Sequence, residues 1–137
     1  MSLYGYQVKK VPFLVEEDKT LTLEHSGTDI LISKQRNYTI KLPPVPQKGV
    51  FFRFTQYDQQ QNNVVTIDAG SSIIDAVIIH IGGQHNEKSE YQLFSFTEES
   101  NAGDYVTFYS DGKKWIAHAF GLPNLAKSAF ELSNISS

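Results

Sequence analysis

The chain has 137 residues, 40% of them hydrophobic and 20% charged, which is enough apolar content for one self-sufficient core and too much for a disordered chain. Its formal net charge is −3, and its basic residues form no run longer than the pairs Lys9-Lys10 and Lys113-Lys114, so neither nucleic acid nor an anionic membrane is expected as a partner. It has no cysteine, which excludes disulfides, thiolate metal sites and thiol catalysis.

Nine Phe and seven Tyr raise the expectation of strands, because these side chains fit a pleated, half-buried surface. The N-terminus, Met1 to Tyr6, lacks a charged stretch followed by an apolar run, so no signal peptide is expected. Residues 1–19 read as an N-terminal arm. From Thr20 the period is two: Leu21 and Leu23 share one face, Ile30-Leu31-Ile32 is a short apolar run, and Tyr38, Ile40 and Leu42 alternate again. Pro43, Pro44 and Pro46 forbid a regular ladder and predict a rigid connector, with Gly49 permitting a turn.

Val50 to Phe54 and Val64 to Ile67 predict further strands. Ile73 to Ile81 is the most apolar segment, and its β-branched content predicts a strand buried on both faces, with a short helix as the alternative. Tyr91 to Phe96 predicts another strand. Then Tyr105 to Tyr109 and Lys114 to His118 flank Asp111-Gly112, the strongest short hairpin signal. A two-residue loop there sets Phe108 opposite Trp115 and Val106 opposite Ala117 on a core-facing side. Leu122, Leu125, Ala129 and Leu132 follow helical spacing, so residues 122–137 predict a C-terminal arm or short helix. The apolar residues of both ends, among them Phe13, Leu14, Leu122, Phe130 and Leu132, are expected to serve contacts between copies. The expected fold is all-β: one antiparallel sandwich or barrel-like domain over residues 20–121.

Site chemistry is sparse. His25, His80, His85 and His118 form no ligand spacing, so no metal and no cofactor is expected. No Gly-x-Ser-x-Gly elbow marks a nucleophile, and the acids Glu16-Glu17-Asp18 and Glu98-Glu99 read as solvated loops. No catalytic residue is therefore expected. Tyr57, Tyr91, Tyr105 and Tyr109 are candidate glycan contacts, since an exposed ring can stack on a sugar.

One constellation is more specific. Leu42-Pro43 ends an alternating strand, Gly49 precedes Phe52-x-Phe54, Val65-Thr66-Ile67 follows, and Ser110-Asp111-Gly112-Lys113-Lys114-Trp115 closes the block. This order resembles a β-rich module of phage tail-fibre and large-virus structural proteins, over roughly Thr20 to Gly121. The resemblance implies a homotrimer on a virion, in a fibre, spike or minor capsid role, among other virion proteins. It makes Leu42, Pro43, Gly49, Phe108, Asp111, Gly112 and Trp115 structural residues. A carbohydrate-binding module that attaches to a host glycan is the alternative.

Overall fold

The computed structural model describes residues 11–43, 48–59, 62–80, 85–122 and 128–135. Among the described residues twelve strands run β1 (Phe13–Val15), β2 (Lys19–Thr20), β3 (Thr28–Ile32), β4 (Tyr38–Lys41), β5 (Phe51–Gln56), β6 (Val65–Asp68), β7 (Ile74–His80), β8 (His85–Tyr91), β9 (Leu93–Phe96), β10 (Tyr105–Ser110), β11 (Trp115–Gly121) and β12 (Phe130–Ser133). A single 3₁₀ turn, Leu23–His25, is the only helical piece among the described residues. The strands form two sheets, a large one in the order β1-β3-β5-β10-β11-β7-β8 and a small one in the order β12-β9-β6-β4-β2. The two inner faces enclose one apolar core, so the expected all-β sandwich is what the chain forms.

The sheets are mixed, not antiparallel. From β1 to β7 the chain alternates strictly between layers, odd strands in the large sheet and even strands in the small one. Each strand therefore returns to its own sheet after a detour through the other layer, running in the same direction as the last. The outcome is parallel pairing of β1 with β3, β3 with β5, β2 with β4 and β4 with β6. Core residues stack along these ladders: Phe13 beside Ile30 beside Phe54 in the large sheet, and Ile40 beside Ile67 in the small one. The Tyr38 hydroxyl crosses between layers to the carbonyls of Ser33 (2.7 Å) and Val15 (2.9 Å).

The core is aromatic where the sheets meet. Phe52, Phe54, Phe108 and Trp115 from the large sheet and Phe94, Phe96 and Phe130 from the small one are each at most 2% exposed. Phe94 meets Phe108 edge-on at 5.4 Å between ring centroids, joining the layers. Phe108 meets Trp115 at 6.4 Å, and Phe94 meets Phe130 at 5.4 Å. Full burial of each Phe is worth roughly 1.5–3 kcal/mol, and a well-placed ring pair adds roughly 0.5–1.5 kcal/mol.

The β10–β11 hairpin has the expected core face and a different register. Phe108 pairs with Ala117, and Ser110 with Trp115, so four residues, Asp111 to Lys114, make the turn. The cause is the Asp111 carboxylate, which accepts the N–H groups of Lys113 (2.8 Å) and Lys114 (2.9 Å) and widens the loop. Gly112 has φ +97°, while Asp111 does not enter positive φ as the two-residue turn requires. Because the register slips by two positions, every side chain keeps its face. Phe108 and Trp115 become diagonal neighbours. At the other end of this block Gly49, at φ +90°, donates its N–H to Ser110 O at 3.0 Å, and Leu42, 4% exposed, donates its N–H to Asp68 O. Pro43 follows Leu42 out of the small sheet, and Pro44 and Pro46 lie outside the described residues.

Three other expectations change. The apolar β7 is buried on one face, through Ile74, Ala76, Ile78 and His80, and leaves Ile79 41% exposed. Neither end is a free arm over its described residues: β1 pairs with β3, and β12 pairs with β9. Val15 and Phe130 enter the chain's own core, because the sheets' edge positions still face its interior. The C-terminal helix expected from Leu122, Leu125, Ala129 and Leu132 does not extend through Leu132, which pairs with Phe94 as a strand. Residues 123–127 lie outside the described residues.

Phe94→Ala should lower stability by about 3–5 kcal/mol, since Phe94 contacts rings on both layers. Gly112→Val should cost at least about 1–2 kcal/mol, because a β-branched residue resists positive φ. Urea unfolding followed by Trp115 fluorescence checks both. Unchanged midpoints would contradict the assigned seam and turn.

Candidate functional site

In each sheet the core takes one face and leaves the other outward, so strand parity decides what the outer faces carry. On the small sheet, Thr39, Lys41, Thr66, Asp68, Ser95, Glu131 and Ser133 point outward, with Leu93 the one apolar residue among them. The large sheet is the opposite. Its registers align three outward rows. The first is Leu14, Leu31, Thr55, Tyr105, Phe120 and Ile79. The second is Asp29, Arg53, Thr107, His118 and Val77, and the third is Phe51, Tyr109, Ile116 and Asp75. Leu14, Ile79, Phe120 and Tyr109 are 37–42% exposed.

Neighbouring strands order these side chains. Tyr105 lies between Arg53, whose guanidinium is 4.1 Å from the ring centre, and Phe120, stacked at 5.9 Å with 7° between planes. Tyr109 meets His118 edge-on at 5.6 Å. At one margin Lys114 pairs with Asp75 at 2.6 Å, and this ammonium, with a second bond from the Glu90 N–H, holds the Asp75 carboxyl below the usual range. The Thr55 hydroxyl donates to Asp29 at 3.3 Å.

Of the four candidate glycan contacts, Tyr105 and Tyr109 share this face. Tyr57 stands apart beyond the end of β5, 61% exposed, and Tyr91 is paired with core-facing Ile74 at the far edge of the sheet. The three histidines whose side chains are described stand apart: His118 is on the outer face, His80 is buried, and His25 takes the Thr22 N–H on its Nδ1 at 2.9 Å; the His85 side chain lies outside the described residues. Among the described residues, no group of three or more His, Asp or Glu could hold a metal ion.

Two buried polar clusters escaped the sequence reading, because each is assembled from loops far apart in the chain. In the first, Lys34 is fully buried, with its ammonium on Thr97 O and on Ser100 Oγ (2.9 Å). Burial pushes this amine down to about 8 against the attraction of Asp58, Glu98, Asp104 and Glu99. Burial alone would raise Asp58, but hydrogen bonds from Gln35, Lys34 N–H and Ser33 hold its carboxyl below the usual range. The cluster pins three loops together and seals its amine from solvent.

In the second, His80 Nε2 accepts the Ala129 N–H at 3.3 Å and lies 3.3 Å from Ser128 Oγ. Asp104, raised by burial, accepts the N–H groups of Asn101 (2.8 Å) and Leu122 (3.1 Å). Ser128, His80 and Asp104 supply the residue types of a hydrolytic triad without its geometry. Among the described residues His80 Nδ1 has no hydrogen-bond partner, so none of their carboxylates orients the ring, and a backbone amide competes with the serine for Nε2.

No protein-family model matches this chain, and a search of curated proteins finds no match to it.

Lys34 binds its proton less tightly in the fold than in the open chain. Between pH 8 and 10.5 the unfolded chain therefore carries a proton that the folded chain lacks. Stability from this residue should rise with pH across that window, by at most about 1.4 kcal/mol per pH unit. Urea titrations at pH 7.5, 9 and 10 should show that gain in the native chain and its loss in Lys34→Met. An identical pH profile in both proteins would contradict a sealed, desolvated amine.

Proposed function

We propose that this chain is a non-catalytic structural component of a virion, in a fibre, spike or minor capsid role. It works as an oligomer bound to other virion proteins, and the module it resembles is a homotrimer. The observation that carries this reading is the opposite character of the two outer faces. One chain in one solvent has a polar face on the small sheet and an aromatic, aliphatic face on the large sheet. Of the described end residues, Val15, Ala129 and Phe130 enter the core while Val11, Leu14, Leu122 and Ile135 stay exposed, and the aligned apolar surplus that calls for a partner is this face.

The non-catalytic part of the reading draws support from the two buried clusters, one sealed and the other lacking the hydrogen bond that would orient a base. Glycan attachment draws less support than assembly. Stacking on a sugar needs a free ring face, and the Tyr105 ring already carries Arg53 over it and Phe120 parallel beside it.

Sedimentation equilibrium of the purified chain at micromolar concentration should return a mass of two or more chains of 15.4 kDa each. A mass of one chain over the whole concentration range would overturn the assembly reading.

A further inference from the structure

We infer that copies of this chain meet through the outer face of the large sheet, like face against like face, with Thr107 near the symmetry axis. This rests on the assembly reading above and adds the surface and its occupant. Thr107 is the middle residue of the middle row, with Arg53 and Asp29 on one side and His118 and Val77 on the other. The rows above and below it are the aromatic and aliphatic ones.

Two observations select a second copy as the occupant. The first is charge. Among the described residues the face carries Arg53 and Lys114 against Asp29 and Asp75, with Lys88 and Glu90 at its β8 margin, and Lys114 and Asp75 are already paired. A face of one sign could only meet an opposite partner. This one is balanced within a chain whose net charge is −3, so its own image does not repel it. The second is size. Six strands at about 4.8 Å and three rows along the strands give a flat footprint of roughly 400 Å², and with side-chain relief two copies bury on the order of 1,000 Å², where specific interfaces begin.

The absence of cysteine makes the test clean. Thr107→Cys places a single thiol at the centre of the proposed face, and Thr66→Cys places one on the polar outer face of the small sheet. Mild oxidation of the full chain at micromolar concentration should link Thr107→Cys into a disulfide dimer and leave Thr66→Cys unlinked. Phe120→Glu should reduce the sedimenting mass to a single chain, with the Trp115 near-ultraviolet circular dichroism confirming a folded core. If the native chain is an oligomer but Thr107→Cys does not link and Phe120→Glu keeps its mass, the copies meet elsewhere, and the inference falls while the assembly reading stands. If the native chain is a monomer throughout, both fall.

Discussion

The fold depends on one edge-on contact between rings. Phe94 on the small sheet and Phe108 on the large one meet across the interior, and each draws further aromatics around it: Phe96 and Phe130 on one layer, Phe54 and Trp115 on the other. The chain gives this seam unusual weight because it crosses between layers at almost every step from β1 to β7. Few of its strand pairs are closed by a short turn, so local hairpin formation cannot hold the first half together. Apolar contact between layers must do so, and it orders the ladders only after distant segments have met. The buried ties of Lys34 and Tyr38 act at the same boundary, linking loops and layers that share no sequence neighbourhood.

How much of this could be read from the sequence follows from what a period of two encodes. Alternation tells which side chain faces inward, so Tyr38, Ile40, Val65, Ile67, Phe108 and Trp115 were all legible as core. It carries no information about which strand lies alongside. The parallel rungs β1-β3-β5 and β2-β4-β6 were therefore invisible, and an antiparallel sandwich or barrel was the natural expectation. Asp111-Gly112 correctly marked a turn, but its length was set by a side chain accepting two backbone amides, which dipeptide statistics do not register. The continuous apolar run of β7 suggested two buried faces. One of them is instead part of the outer surface, where Val77 and Ile79 stand beside His118 and Phe120.

That outer surface is where the candidate site and the fold become one subject. Tyr105 and Tyr109 were legible as noteworthy aromatics, but not as members of one face with Phe120, Ile116 and Ile79. That grouping needs the β5–β10–β11–β7 register. Once grouped, the side chains pack on one another, ring on ring and guanidinium on ring. The small sheet shows that the same chain can make an ordinary polar exterior. The proposed assembly rests on this contrast between the layers more than on any single residue.

Oxidative footprinting by hydroxyl radicals, read by mass spectrometry on the intact protein, tests that claim most directly, because it reports side-chain exposure residue by residue. Burial of the large sheet's outer face between copies predicts that Tyr57, 61% exposed and away from the face, oxidises readily at every concentration. Tyr109 and Phe120, each 37% exposed in the single chain, should be protected when the protein is concentrated and lose that protection on dilution. Oxidation of Tyr109 and Phe120 that is equally fast at high and low concentration would contradict it.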